Sequence, residues 1–139
     1  MHTRLHATSV AIQGQGVLIC GASGTGKSSL ALQLMALGAQ LISDDRTELR
    51  VDQGTLRASA PTSIRGLIEA RGIGLLNAEA VEATIRLVID LDQTETNRLP
   101  YAHEIEILGC TIPCLHKAET DAWPAAILQY VKGGRREPS

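Results

Sequence analysis

Eight residues constrain this chain more than any others: Gly21-Ala22-Ser23-Gly24-Thr25-Gly26-Lys27-Ser28, a match to the pattern GxxxxGK[ST]. Glycines at these spacings let the backbone curl until successive N–H groups face inward as an anion nest. The apolar run Val17-Leu18-Ile19-Cys20 leads in and reads as a buried strand. Behind the loop, residues 27–37 place Leu30, Leu34 and Leu37 at helical spacing, so a helix N-terminus adds its unsatisfied donors and positive dipole end. Residues 21–28 and Ser29 are therefore expected to hold the phosphates of a nucleotide such as ATP. Lys27 is expected to reach the β- and γ-phosphates, and the Ser28 hydroxyl to ligate Mg²⁺.

Composition narrows the setting. The 139 residues suit one domain, expected over residues 1–132 with a frayed tail at 133–139. Aromatic residues make up 2%, with no Phe, so the core is aliphatic and the base-stacking platforms of nucleic-acid binders are missing. A net charge of −2 without long runs of one sign argues against a polyanion surface, and Lys132, Arg135 and Arg136 read as part of a solvated tail. No apolar run approaches the roughly 20 residues of a membrane span, and no secretory leader is expected. Cys20, Cys110 and Cys114 form no CxxC pair, which fits a reducing cytoplasm and not a structural zinc site. His103 and His116 receive no functional assignment.

Along the chain, residues 5–12 read as a strand joined to Val17-Leu18-Ile19-Cys20 by the turn Gly14-Gln15-Gly16. Gly38 ends the first helix, and residues 39–43 return as a strand parallel to the one before the loop. Residues 48–51 and 55–58 flank a Gly turn as a hairpin. Pro61 opens a short helix through Ile68. A glycine-punctuated loop and short strand follow at 71–76, then strands at 83–91 and 104–107, and a final helix over 121–131. The fold class is α/β, with antiparallel hairpins and flanking helices around the loop.

A P-loop needs acids for the metal and for the nucleophile. Asp90, after Leu87-Val88-Ile89, stands where an ordinary Walker B acid would. Asp44-Asp45 end the strand after the helix, at the carboxyl edge where ligands bind in open α/β sheets. Adjacent carboxylates repel unless a cation or proton offsets them, so one acid on the metal and one accepting a proton is a consistent division. Local pattern alone leaves both candidates open, with Asp44-Asp45 also readable as a turn or cap and Asp90 with Asp92 as a strand-ending turn.

Residues 6 to about 113 resemble the catalytic domain of the HPr kinase/phosphorylase family. The resemblance rests on His6 in a hairpin, the loop 21–28, Gly38, Leu41-Ile42-Ser43-Asp44-Asp45, and the signature-like Glu69-Ala70-Arg71-Gly72-Ile73-Gly74-Leu75. It implies a PEP-carboxykinase-like sheet, ATP and Mg²⁺ as cofactors, and a cytoplasmic protein. By resemblance Asp44 takes the proton of the acceptor serine with His6 close by, and Ser28, Asp45 and Glu69 surround Mg²⁺. Arg71 belongs to the signature, and Arg98 resembles an arginine on a mobile loop that stabilises the transferred phosphoryl group. Asp90 becomes structural. The implied partner is an HPr-like phosphocarrier of the phosphotransferase system, with a hexamer as the family's assembly.

The family's separate N-terminal domain finds no counterpart, nor do its last helices after Pro113, which makes the chain similar to a short form. The expected reaction is ATP-dependent phosphorylation of a protein serine, with reverse phosphorolysis as a second activity. A nucleotide-gated regulator without turnover is the alternative. A small-molecule kinase would need a lid and pocket for which the chain has little length.

Overall fold

The computed structural model describes residues 1–136. The elements in order are β1 (His2–Leu5), β2 (Ala7–Ile12), β3 (Gln15–Cys20), α1 (Lys27–Ala36), β4 (Gln40–Ser43), β5 (Thr47–Asp52), β6 (Thr55–Ser59), a 3₁₀ turn (Thr62–Ile64), β7 (Leu67–Ala70), β8 (Gly74–Asn77), β9 (Ala83–Thr94), β10 (His103–Ile107), β11 (Cys110–Lys117) and α2 (Trp123–Gly133). The main sheet runs β1-β5-β6-β9-β3-β2-β4, with β11 on β9 and β10 beyond it, and β7–β8 form a separate hairpin.

Near-continuous apolar runs make β2, β3 and β9 the middle of the sheet, because both of their faces are covered. Val10, Val17, Ile19, Leu87 and Ile89 meet Leu30 and Leu34 of α1 and Ile127 of α2 on one side. Ala11, Leu18, Ile85 and Val88 meet Leu49, Leu56 and Ala58 on the other. The parity of β9 changes at a bulge, where Gly16 faces Ile85 but Val17 faces Leu87. A Cβ on Gly16 would stand 2.8 Å from the Thr84 carbonyl oxygen, so the close approach of β3 needs glycine there. Within the twelve residues of β9, Thr84 to Asp90 pair with β3 along one edge. The other edge takes β6 antiparallel at Ala83–Thr84 and β11 parallel from Val88 onward. Two strands of opposite direction on one edge curl the sheet around its second core.

Helix α1 ends as its sequence predicts. Gly38 has φ 108°, its N–H reaches the Met35 carbonyl at 3.0 Å, and the Ala39 N–H reaches Leu34 at 3.0 Å. β4 then runs parallel to β3 but does not pair with it. The hairpin strand β2 lies between them and pairs antiparallel with both.

Other expectations are corrected. The strand over residues 5–12 is two strands broken at His6, of which β1 pairs with β5 and β2 with β3. The helix from Pro61 to Ile68 is only a 3₁₀ turn, because Gly66 (φ 78°) breaks the path. Ile68 and Ala70 then alternate inward as a strand. β11 was not anticipated, since Pro113 spoils its strand pattern, yet that residue pairs only with Glu104 of β10 while β9 is engaged from Cys114 onward. Gly133 closes α2 and so lies inside a helix, and residues 137–139 of the expected tail are outside the described residues.

Candidate functional site

The glycine loop is held from within and from behind. Thr25 Oγ1 donates to the Ala22 carbonyl at 2.7 Å, and Lys27, 7% exposed, donates from Nζ to the carbonyls of Gly21 (2.8 Å) and Ala22 (3.1 Å). Behind the loop, the Ala22 N–H reaches Asp92 Oδ1 at 3.0 Å, and the Asp92 N–H reaches Asp90 Oδ1 at 2.9 Å. Asp90 thus holds Asp92, and Asp92 holds the loop. Sequence reasoning left Asp92 without a role, although an acid two residues past a strand end beside the loop is a usable signal.

The two acids after β4 are turned apart by a three-residue turn. The Arg46 N–H reaches the Asp44 carbonyl at 2.7 Å, with Asp45 at the apex in the left-handed region (φ 68°). A non-glycine residue there costs free energy, and Asp tolerates it better than most. Asp44 points inward and is 8% exposed. Its Oδ1 accepts from Ser28 Oγ at 2.6 Å and Thr8 Oγ1 at 3.0 Å, and its Oδ2 accepts from the Glu69 N–H at 2.9 Å. Asp45 points outward with its side chain 54% exposed, paired with His6 Nε2 at 3.0 Å. Arg46 Nε stands 4.0 Å from its other oxygen.

Thr8 ties the two acids together. It is fully buried, gives its hydroxyl proton to Asp44 and accepts the Asp45 N–H at 3.1 Å. Beside it, Ser9 and Thr47 hydroxyls lie 2.9 Å apart, and Thr47 reaches the Ala7 carbonyl. Thr8 and Ser9 sit within an apolar strand, where their only sequence signal is polarity at positions that ought to be oily.

His6, Ser23, Gly24, Lys27, Ser28, Asp45, Glu69 and Arg71 converge on one open cleft of about 360 Å³. Glu69 arrives on β7, and Arg71 from the tip of the β7–β8 hairpin, which the Ile73 N–H closes on the Ala70 carbonyl at 3.0 Å. Arg98 is not brought there: it lines a separate hollow of about 260 Å³ with His103, His116 and Tyr130. A third hollow, about 770 Å³, lies along α1 with Gly26 and Ser29 in common with the cleft, and is walled by Gln33, Lys117 and Trp123. The Ser28 hydroxyl and the carboxylates of Asp44, Asp45 and Glu69 are hard oxygen donors that fit Mg²⁺, with the His6 imidazole set against Asp45 at the side of the cleft.

A strand, a glycine loop and a helix facing acids at the carboxyl end of a second strand parallel to the first define a P-loop domain. Residues 1–117 match the HPr Serine kinase C-terminal domain, and the chain belongs to that family. The match runs past both ends of the stretch that carried the resemblance in sequence. The chain is 40% identical over 124 residues to the HPr kinase/phosphorylase of Caldicellulosiruptor bescii, covering 79% of this chain and 40% of that protein. It is 39% identical over 127 residues to the HPr kinase/phosphorylase of Geobacillus kaustophilus, covering 81% and 41%. The chain therefore spans about two fifths of the length of these relatives. Among solved structures, the Hpr(Ser) kinase/phosphatase from Coxiella burnetii superposes with a TM-score of 0.78 at 27% identity, covering 94% of both chains. The α/β class with its hairpins and flanking helices is thus shared with that enzyme. No helix among the described residues is long and apolar enough to cross a membrane.

Proposed function

We propose that this chain transfers the γ-phosphoryl group of ATP to a serine hydroxyl of an HPr-like phosphocarrier, with Asp45 and His6 receiving the proton. The Asp44 and Asp45 roles implied by the resemblance are exchanged in this reading. The supporting observation is the opposite orientation of the two acids: Asp44 is buried on Ser28 at 2.6 Å, and Asp45 faces the cleft against His6. An acid locked to the P-loop serine suits the cation, and an exposed acid beside an imidazole suits proton transfer.

Ser28, Asp44 and Glu69 would hold Mg²⁺, which supplies charge neutralisation at the phosphates. The loop amides and Lys27 would offset the charge on the transferred group. The hollow beyond Gly26 and Ser29, with Gln33 and Trp123, would take the nucleoside. In the forward reaction the serine oxygen bonds to the γ-phosphorus, the bond to the β-phosphate oxygen breaks, and the serine proton passes to the Asp45 carboxylate. In reverse, Asp45 returns a proton to the serine oxygen as inorganic phosphate takes the phosphoryl group. Arg71 lies in the cleft and takes the phosphoryl-facing role that the resemblance gave to Arg98.

The test is incubation of the chain with Mg-ATP and an HPr-like carrier, read by mass spectrometry. The expected result is one phosphate on a serine of the carrier, lost in Lys27→Ala. An unmodified carrier, with ATP bound, would leave the chain a nucleotide-gated regulator.

A further inference from the structure

Outside the cleft, three side chains from three segments converge on the hollow beside the 95–102 connection. Glu95 follows β9, His103 opens β10 and His116 lies near the end of β11. One ligand atom from each, an imidazole nitrogen of either histidine and a carboxylate oxygen of Glu95, lies within 4.8 Å of the other two. His103 Nε2 is 2.9 Å from Glu95 Oε1, and the two imidazoles stack with centroids 4.0 Å apart and planes 12° from parallel.

We propose that Glu95, His103 and His116 form a binding site for a divalent transition metal of borderline softness, with Zn²⁺ as its representative. Two imidazoles and one carboxylate are a donor set that zinc takes with a fourth position left to water, whereas Mg²⁺ prefers oxygen alone. Ligands at about 2.0–2.1 Å from a tetrahedral ion stand about 3.3 Å apart. The Glu95–His103 edge is already close to that length. The stacked lone pairs run in parallel planes, so coordination asks one ring to turn about its Cβ–Cγ bond.

The frame around the donors is fixed. The Glu95 N–H is bonded to the Lys117 carbonyl at 2.8 Å, tying the end of β9 to the residue after His116. The Asn97 N–H holds Glu95 Oε2 at 3.2 Å, the outer hydrogen bond that orients a ligating carboxylate. A metal bound to both Glu95 and His103 closes the seven residues between them into a ring. It would pin the segment that carries Arg98, Leu99 and Tyr101, the last two of which are exposed.

Equilibrium dialysis of chelator-stripped protein against Zn²⁺ alone, at neutral pH, tests this. His6→Gln serves as background, because His6 and Asp45 offer a competing set in the nucleotide cleft. The expected result is one Zn²⁺ per chain in that background. Affinity should fall more than about 100-fold on adding His103→Gln or His116→Asn, beyond what loss of an outer partner does. Co²⁺ in unmutated protein provides a reading that needs no variant at these histidines. Intense visible absorption of a four-coordinate ion, displaced by Zn²⁺ and unaffected by Mg-ATP, supports the site. Absence of saturable binding in the His6→Gln protein, or binding that survives both histidine replacements, overturns it.

Discussion

At the scale of single residues, Thr8 links the two acids of the site. Its hydroxyl is fully buried and serves both acids, as donor to Asp44 and acceptor from the Asp45 N–H. Thr8→Val keeps the volume but strands the Asp45 N–H and removes one donor from Asp44. Denaturant unfolding should show a loss of about 1–3 kcal/mol, the usual cost of a buried polar group left unpaired. A second residue gives a pH signature. Burial first, and then the Asp90 carboxylate, push the Cys20 thiol up to about 11. The folded state keeps a proton that the unfolded state gives up near its ordinary thiol pKa, so the unfolded state binds fewer protons. Stability should therefore fall as pH rises above roughly 8.5. Cys20→Ala should flatten that alkaline limb in unfolding measured from pH 7 to 10. The P-loop, Asp44, Asp45 and Glu69 stand out in sequence because each belongs to an ordered motif, and the structure lines one cleft with the loop, Asp45 and Glu69 and bonds Asp44 to Ser28. Thr8 and Asp92 do not stand out, because nothing local marks a threonine in an apolar strand as the partner of an acid 36 residues away.

At the scale of elements, α1 was readable from end to end. Its apolar spacing, its loop-borne N-terminus and its glycine stop all agree with one structure, and the hairpins at 14–16 and 52–54 were equally local. Gly38 tests that reading. A Cβ there meets open space, so Gly38→Ala should cost only the left-handed conformation, roughly 1–2 kcal/mol by thermal unfolding, with nucleotide affinity unchanged. A steric cost would be larger and would be expected instead at Gly16, against the Thr84 carbonyl. The failures were non-local. The pairing of β4 with β2 puts the hairpin strand between β3 and β4, which no local pattern marks, and β7 looks helical until Gly66 and the Asp44 contact to the Glu69 N–H are seen. β11 carries a proline at a residue paired on one side only, by β10, since β9 is engaged from Cys114 onward.

At the scale of the whole molecule, the curled sheet divides labour between its two faces. One face carries α1 and α2 and presents the loop, and the other encloses an aliphatic core closed by β5 and β6. α2 joins the first face mainly through Ile127, its one fully buried residue. Ile127→Ala should destabilise the chain by about 2–5 kcal/mol in chemical denaturation, as large-to-small core changes do. The division also explains why the acids split. The turn at Asp45 leaves Asp44 under the loop and lifts Asp45 into the cleft, and no sequence pattern distinguishes the first of two aspartates from the second.

One paired measurement separates the roles of the two acids. Phosphoserine formation on the carrier and Mg-dependent ATP binding are measured side by side in Asp44→Asn and Asp45→Asn. Asp45→Asn should slow transfer by about 10²–10⁴-fold, the range of a general base, with Mg-ATP affinity within about twofold of the unmutated chain. Asp44→Asn should weaken Mg-dependent binding itself. The contrary pattern, with Asp44→Asn binding Mg-ATP normally but failing to transfer while Asp45→Asn loses the metal, would restore the opposite assignment and contradict the account.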